Sequence, residues 1–169
     1  MNTNELRCML TKDPVTRAYL RNVYALDQFE EFVRENSLIE GLYVINDQPI
    51  HKLGRHWLLV LVESENKKIV FFDSFGRPPD YYNLLRLLIQ SKTNTKRRKA
   101  VSGIELNSIQ LQSLYSNVCG GYVVFFATQL CRGEMLKDIV KRFDKTNFQK
   151  NDEMIIHFIR KYFPGHGNF

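Results

Sequence analysis

Residues 112–122 read Gln-Ser-Leu-Tyr-Ser-Asn-Val-Cys-Gly-Gly-Tyr, and they run directly into the apolar segment 123–127, Val-Val-Phe-Phe-Ala. This order predicts a helix over Gly121–Leu130 with Cys119 at its N-terminus and Ser116 or Asn117 as its cap. Free N–H groups and the helix dipole at that position favour a thiolate over a thiol. The alternative is a small buried residue, which is the commoner use of cysteine. This segment alone therefore does not show whether Cys119 is a nucleophile or a buried core residue.

Length and composition indicate a single globular domain. The 169 residues suit a single domain, 1–169, and the 44% apolar and 25% charged residues are ordinary values for a globular chain. Residues 1–11 do not resemble a signal peptide, and no apolar segment approaches the ~20 residues of a membrane span. We therefore expect a monomer that is neither secreted nor membrane-bound. The net charge of +6 is compatible with an acidic partner such as DNA without establishing one.

The cysteines are few and widely separated. Cys8, Cys119 and Cys131 form an odd set without CxxC spacing. This pattern argues against a disulfide framework and against a zinc site, so we expect no metal and a reducing compartment.

A β-hairpin is predicted in the middle of the chain. An apolar strand follows His56, a charged turn runs from Glu63 to Lys68, and a second apolar strand leads to Asp73. In an antiparallel hairpin the beginning of one strand lies opposite the end of the next. His56 and Asp73 are therefore expected to be neighbours at one edge of the sheet.

The remaining segments predict an α+β fold. The expected helices are a capped helix after Thr3-Asn4, one from Pro14 through Arg21, one after an Asp27 capping box, and those over Tyr81–Ile89, Glu134–Phe143 and Asp152–Tyr162. The expected strands outside the hairpin lie over Leu42–Ile45 and Val101–Ile109.

The polar residues at these positions suit acyl transfer by cysteine. Cys119 would be the nucleophile, His56 the general base and then acid, and Asp73 the carboxylate that orients the imidazole. The side-chain amide of Gln112 would join the backbone N–H of Cys119 as a donor to the oxyanion. Gln110 alternates with Gln112 and could take the same role after a two-residue slip.

Two neighbours would support this site. Trp57 is the single tryptophan and could shield the imidazole, although a core role is the usual one. Gly120, without a Cβ, would let a substrate backbone approach closely.

These motifs resemble the adenovirus-type cysteine proteases, the adenain family, within the clan of ubiquitin-like-protein proteases. The shared features are Arg-His-Trp at 55–57, Phe-Phe-Asp-Ser-Phe-Gly at 71–76, and Gln112 with six residues before Cys119-Gly120, and the likeness covers roughly 42–126. The resemblance implies an α+β cysteine-protease fold with a central, mainly antiparallel sheet and a helical subdomain that carries the nucleophile at a helix N-terminus. It also favours Gln112 over Gln110, whose separation from Cys119 matches the family less well.

The resemblance implies a function as well. The family cleaves precursor proteins of viruses or virus-like elements, which places such a protein in a virion or in the host nucleus or cytoplasm. The adenovirus enzymes also imply activation by a short peptide and by DNA, and the basic run Lys96, Arg97, Arg98 and Lys99 is the first candidate for phosphate contacts.

Two positions depart from the adenovirus pattern. Asp73 stands where those enzymes usually have glutamate. Val101 stands about where they carry the cysteine that bonds to the peptide cofactor, and neither Cys8 nor Cys131 can replace it. We therefore expect no covalent peptide cofactor, and no cofactor for the chemistry itself.

Two other functions remain open at this point. The same motifs occur in ubiquitin- or SUMO-type isopeptidases. The positive charge would also suit a catalytically silent DNA-binding relative.

Overall fold

The computed structural model describes residues 1–52, 54–63, 68–90 and 103–166. Within these ranges the elements are α1 (Thr3–Lys12), α2 (Pro14–Tyr19), β1 (Leu20–Tyr24), α3 (Leu26–Glu35), β2 (Gly41–Asn46), β3 (Trp57–Glu63), β4 (Lys68–Phe72), a 3-10 helix (Pro79–Tyr82), α4 (Leu85–Gln90), β5 (Gly103–Leu106), α5 (Cys119–Leu130), α6 (Leu136–Val140) and α7 (Phe148–Tyr162).

The five strands form one sheet in the order β1-β2-β3-β4-β5. The three central strands pair antiparallel, and each edge strand pairs in parallel with its neighbour. Helices lie on both faces of this sheet. The predicted α+β fold with an antiparallel centre is confirmed.

The predicted hairpin is formed by β3 and β4. Leu59 lies opposite Phe72, and the pairing continues to Glu63 opposite Lys68. Their near-continuous apolar sequences fit strands that are covered on both sides. Successive residues alternate between two cores, so that Leu59 contributes to one and Val60 to the other.

Helix α5 fills the larger core. Its residues from Gly120 to Thr128 are all buried, because the helix packs against β3, α1 and α7. The ring of Phe126 stacks on that of Phe72 with centroids 3.7 Å apart. Replacing such a buried aromatic side chain with alanine costs about 3–5 kcal/mol of stability. This packing holds the middle of α5 against the end of β4.

The second helix is shorter than predicted. Asp13 accepts a hydrogen bond from the N–H of Thr16 and caps α2, as the sequence indicates, but α2 ends at Tyr19 and does not reach Arg21. Residues 20–24 instead form the edge strand β1 beside β2. The pairing with an apolar neighbour strand outweighs local helix preference.

The single helix predicted over Tyr81–Ile89 is divided. A 3-10 turn ends at Tyr82, Asn83 adopts a left-handed backbone with φ 58°, and α4 begins at Leu85. Asparagine is one of the few residues that tolerates this conformation, so Asn83 can interrupt the helix at low cost.

Other helix and strand boundaries differ by a few residues. Ala25, not Asp27, precedes α3, and its N–H donates to Gln28 Oε1. Asn147 caps α7, which starts four residues earlier than predicted. The basic run at 96–99 and position 101 lie outside the described residues. Within the described ranges, none of the helices is both long and apolar enough to span a bilayer.

Candidate active site

His56 and Asp73 meet at one edge of the sheet. Nε2 of His56 lies 2.5 Å from Oδ1 of Asp73, and the side chains are 4% and 0% exposed. The hairpin register produces this contact, since both residues lie just outside paired strands at the same end. The predicted juxtaposition is confirmed.

Asp73 accepts hydrogen bonds besides the one that involves His56. Oδ1 accepts from the N–H of Phe75, and Oδ2 accepts from the N–H of Arg77 and from the hydroxyl of Tyr82. Burial and the adjacent Asp73 charge raise the pKa of Tyr82, so its hydroxyl stays a donor. These donors stabilise a buried carboxylate that would otherwise be costly.

The backbone around both residues is also fixed. Asn107 donates to the carbonyl of Asp73 and accepts from its N–H. Asp47 Oδ1 accepts from the N–H of His56, and the ring of His56 stacks on Phe75 with centroids 4.7 Å apart. Sequence reasoning missed Tyr82, Asn107 and Asp47. Polar residues next to buried strands were the available signal, but their partners depend on tertiary contacts.

Cys119 is the first residue of α5, as predicted. The cap prediction is wrong, because Val118 precedes the helix and no side chain caps it. Ser116 instead bonds Gln112. Since the first N–H groups of a helix lack partners inside the helix, those near Cys119 remain available to an anion. The thiol is half-buried.

The imidazole of His56 favours protonation. Burial opposes the charge, but the hydrogen bond to Asp73 and the negative charges of Asp73 and Cys119 nearby outweigh it and raise the pKa of His56 to about 9. Nε2 is engaged by Asp73, and buried Nδ1 has no hydrogen-bond partner among the described residues. Nδ1 is therefore the nitrogen available to the thiol of Cys119.

Gln112 lies between the turn after Asp73 and the segment before Cys119, and Gln110 bonds its backbone. The amide of Gln112 is 1% exposed, and its Nε2 donates to the carbonyl and hydroxyl oxygens of Ser116, three residues before Cys119. The amide of Gln110 is half-buried and donates to the Gln112 carbonyl. The carbonyl and the hydroxyl of Ser116 thus accept from the Gln112 amide, and the choice of Gln112 as oxyanion donor stays a prediction.

Sequence comparison gives the family. Residues 47–160 match the Ulp1 protease family, C-terminal catalytic domain. The chain belongs to the Ulp1 protease family. Membership classes it with the cysteine peptidases, and the adenain resemblance is consistent with this placement. Among curated protein sequences none matches the chain.

Solved structures share the Ulp1-type fold. A protease of ASFV superposes with a TM-score of 0.60 at 13% identity, over 92% of this chain and 66% of its own. The Chlamydia trachomatis effector Cdu1, bound to ubiquitin, gives 0.54 at 16% identity, over 94% and 76%. The Ulp1 protease domain in complex with Smt3, the yeast ortholog of SUMO, gives 0.52 at 15% identity, over 96% and 77%. The chain thus spans about two thirds of the ASFV protease.

In this Ulp1-family chain, Met1 lies against both Trp57 and Gly120. Trp57 Nε1 donates to the carbonyl of Met1 at 3.2 Å. A Cβ on Gly120 would lie 2.5 Å from Met1 Sδ, so a larger residue there would require the Met1 side chain to move. Both predicted support residues are buried beside the candidate site. The close approach of Met1 gives Gly120 a packing role in addition to the predicted one.

The described residues contain no cluster of three or more histidine, cysteine or carboxylate side chains placed to hold a metal ion. All three cysteines are free thiols.

Proposed function

We propose that this protein is a cysteine endopeptidase that cleaves precursor proteins of a virus or virus-like element. The observation that carries the chemistry is the buried His56, whose Nε2 lies 2.5 Å from Oδ1 of Asp73. Burial lowers the pKa of His56, but the bond to Asp73 outweighs it and, with Cys119 nearby, raises that pKa to about 9.

The first half of the reaction forms an acyl-enzyme. The Cys119 thiolate attacks the scissile carbonyl, and the carbonyl electrons move onto oxygen. The backbone N–H of Cys119 and the amide of Gln112 donate to that oxyanion. The carbonyl re-forms as the C–N bond breaks, and protonated His56 gives its proton to the leaving amine.

The second half releases the acyl group. Neutral His56 accepts a proton from water through Nδ1 as the water attacks the thioester, and Cys119 leaves as a thiolate. Asp73 keeps a proton on Nε2 throughout and stabilises the imidazolium, which is the role of the carboxylate in such triads.

Viral precursors are proposed as substrates because the resemblance in motifs is to adenovirus-type proteases and the ASFV protease shares the fold. The second candidate is a ubiquitin- or SUMO-type isopeptidase. It is favoured by the family match and by two structures of the same fold that are bound to ubiquitin and to Smt3.

Regulation and location are proposed on the resemblance alone. DNA would act as an activator through Lys96, Arg97, Arg98 and Lys99, a non-covalent peptide could do the same, and the protein would act as a monomer in a virion or in the host nucleus or cytoplasm. Protection of the protein from unfolding by DNA, lost with rising salt, would support the DNA contact.

A substrate panel tests the proposal. Wild type and Cys119→Ala are incubated with capsid-type precursors and with ubiquitin and SUMO precursors, and products are identified by mass spectrometry. Cleavage of capsid-type precursors by wild type alone is expected. Cleavage confined to the ubiquitin-like precursors would favour the isopeptidase, and salt-sensitive DNA binding without cleavage or thiol labelling would favour the silent relative.

A further inference from the structure

Ser74 is a buried polar residue that the mechanism above does not use. It follows Asp73 directly and is 0% exposed. Its hydroxyl donates to Oε1 of Gln112 at 2.7 Å. A fully buried hydroxyl aimed at the candidate oxyanion residue requires an explanation, since most buried serines bond the backbone or water.

The backbone of Ser74 holds the same segment. Its carbonyl accepts from the N–H groups of Leu111 and Gln112, at 2.8 and 3.1 Å. Gly76, with φ 69°, closes the turn that follows, and a Cβ there would lie 2.6 Å from the carbonyl carbon of Ile109. The turn that carries the acid is thus packed directly against the segment that carries Gln112.

The two ends of the Gln112 amide have different partners. The hydroxyl of Ser74 donates to the oxygen end, and the nitrogen end donates to the carbonyl of Ser116 at 2.9 Å. A flipped amide would place its oxygen against the Ser116 carbonyl, and two acceptors repel. Ser74 and the Ser116 carbonyl therefore select one orientation, with the N–H groups directed to the segment before Cys119.

From these contacts we propose that Ser74 is a positioning residue, which holds the Gln112 amide with its nitrogen toward the oxyanion. The inference rests on the proposed function and deepens it. It links the acid to the oxyanion site through one residue, because Asp73 and Ser74 are adjacent in sequence.

Ser116 provides a matched comparison, since its hydroxyl also bonds the Gln112 amide, at 3.1 Å from Nε2. That hydroxyl competes with an oxyanion for the same nitrogen, whereas the hydroxyl of Ser74 occupies the opposite end. Removing each hydroxyl should therefore have different consequences for turnover.

The test compares Ser74→Ala with Ser116→Ala in steady-state hydrolysis of a peptide substrate cleaved by wild type. Ser74→Ala is expected to lower kcat about 10–100-fold with KM within about threefold, because a misplaced donor loses contact mainly with the transition state. Ser116→Ala is expected to keep kcat at or above the wild-type value. A fall in kcat for Ser116→Ala equal to that for Ser74→Ala would overturn the inference.

A double-mutant cycle with Gln112→Ala separates positioning from general damage. If Ser74 acts through Gln112, Ser74→Ala lowers kcat no further in the Gln112→Ala background. Alkylation of Cys119 by iodoacetamide forms no oxyanion, so its rate should be unchanged in Ser74→Ala. Additive losses in the cycle, or an equal fall in alkylation, would mean that Ser74 is merely structural.

A second variant covers the case in which Ser74→Ala folds poorly. Ser74→Cys keeps a side chain of similar shape with a weaker donor, and an intermediate kcat at an unchanged melting temperature is expected. A wild-type kcat in a folded Ser74→Cys or Ser74→Ala overturns the positioning role. Failure of wild type to hydrolyse any substrate is a different result, which overturns the proposed function itself.

Discussion

The two ends of helix α5 place the same residue type in opposite surroundings. Cys119 is its first residue, half-buried and close enough to His56 to influence the pKa of that imidazole. Cys131 follows its last residue and is 6% exposed. Burial, with a smaller contribution from the charge of Asp13, raises the pKa of Cys131 to about 12. Position on the helix and neighbouring charge thus distinguish two residues of the same type.

The direction of the helix contributes to this difference. The dipole places partial positive charge at the N-terminus, which stabilises an anion there, and partial negative charge at the C-terminus, which destabilises one. The positive end of the dipole lies at Cys119, whereas at the Cys131 end burial and the dipole both favour the neutral thiol.

Loss of either thiol should have very different effects on activity. Cys119→Ala is expected to lower the rate of peptide hydrolysis by at least ~10³-fold, since it removes the nucleophile. Cys131→Ala, the matched control, should keep kcat within about twofold because that thiol serves packing. Hydrolysis by purified, folded variants measures both, and an active Cys119→Ala would exclude the proposed nucleophile.

Removing the imidazole of His56 should reduce the difference in alkylation rate between Cys119 and Cys131. His56→Gln is expected to lower hydrolysis by about 10²–10⁴-fold and to slow alkylation of Cys119 by iodoacetamide near pH 7. Cys131 should be unreactive in both proteins. Peptide mapping after timed alkylation measures each site, and a Cys119 that reacts at the wild-type rate without His56 would contradict the ion pair.

Substitution to serine should lower the unfolding free energy more at Cys131 than at Cys119. Cys131→Ser places a more strongly polar hydroxyl in a buried position and is expected to cost about 1–3 kcal/mol of unfolding free energy. Cys119→Ser, half-buried at a helix start, should cost less than about 0.5 kcal/mol. Urea unfolding measures both; a larger loss at Cys119 would mean that this thiol is mainly structural.

The unfolding free energy should depend on pH through the protonation of His56. Because folding raises the pKa of His56 from 6.5 to about 9, its protonated form favours the folded state fully below pH 6.5, and this contribution is lost as pH rises to about 9. The unfolding free energy of wild type relative to His56→Gln should therefore decline between those values. A difference that is constant from pH 6 to 10 would mean that His56 is not held protonated.

Much of the candidate site follows from local sequence. The strand pattern before Asp73 and after His56 predicts their meeting, since hairpin register depends on little else. The polar-to-apolar change at Cys119 predicts the helix start. Both features depend on the hydrophobic periodicity and on the order of residues along the chain, and a single sequence is enough to show these.

The missed features depend on contacts between distant segments. Ser74 looks like an ordinary turn residue until residues 111–112 pack on its carbonyl, and Tyr82 belongs to a predicted helix that Asn83 interrupts. The sequence predicts a polar cap for α5, but the hydroxyl of Ser116 bonds Gln112 and Ser113 instead. Such choices between partners are decided by the folded structure, not by local preference.

The contact of Met1 with both Trp57 and Gly120 has a practical consequence for expression. Any affinity tag joined in front of Met1 would begin beside the residue that follows the nucleophile. A C-terminal tag avoids that position. Extra residues left in front of Met1 after removal of a tag would lie at the same place, and comparing kcat of N-terminally and C-terminally tagged protein would measure their effect.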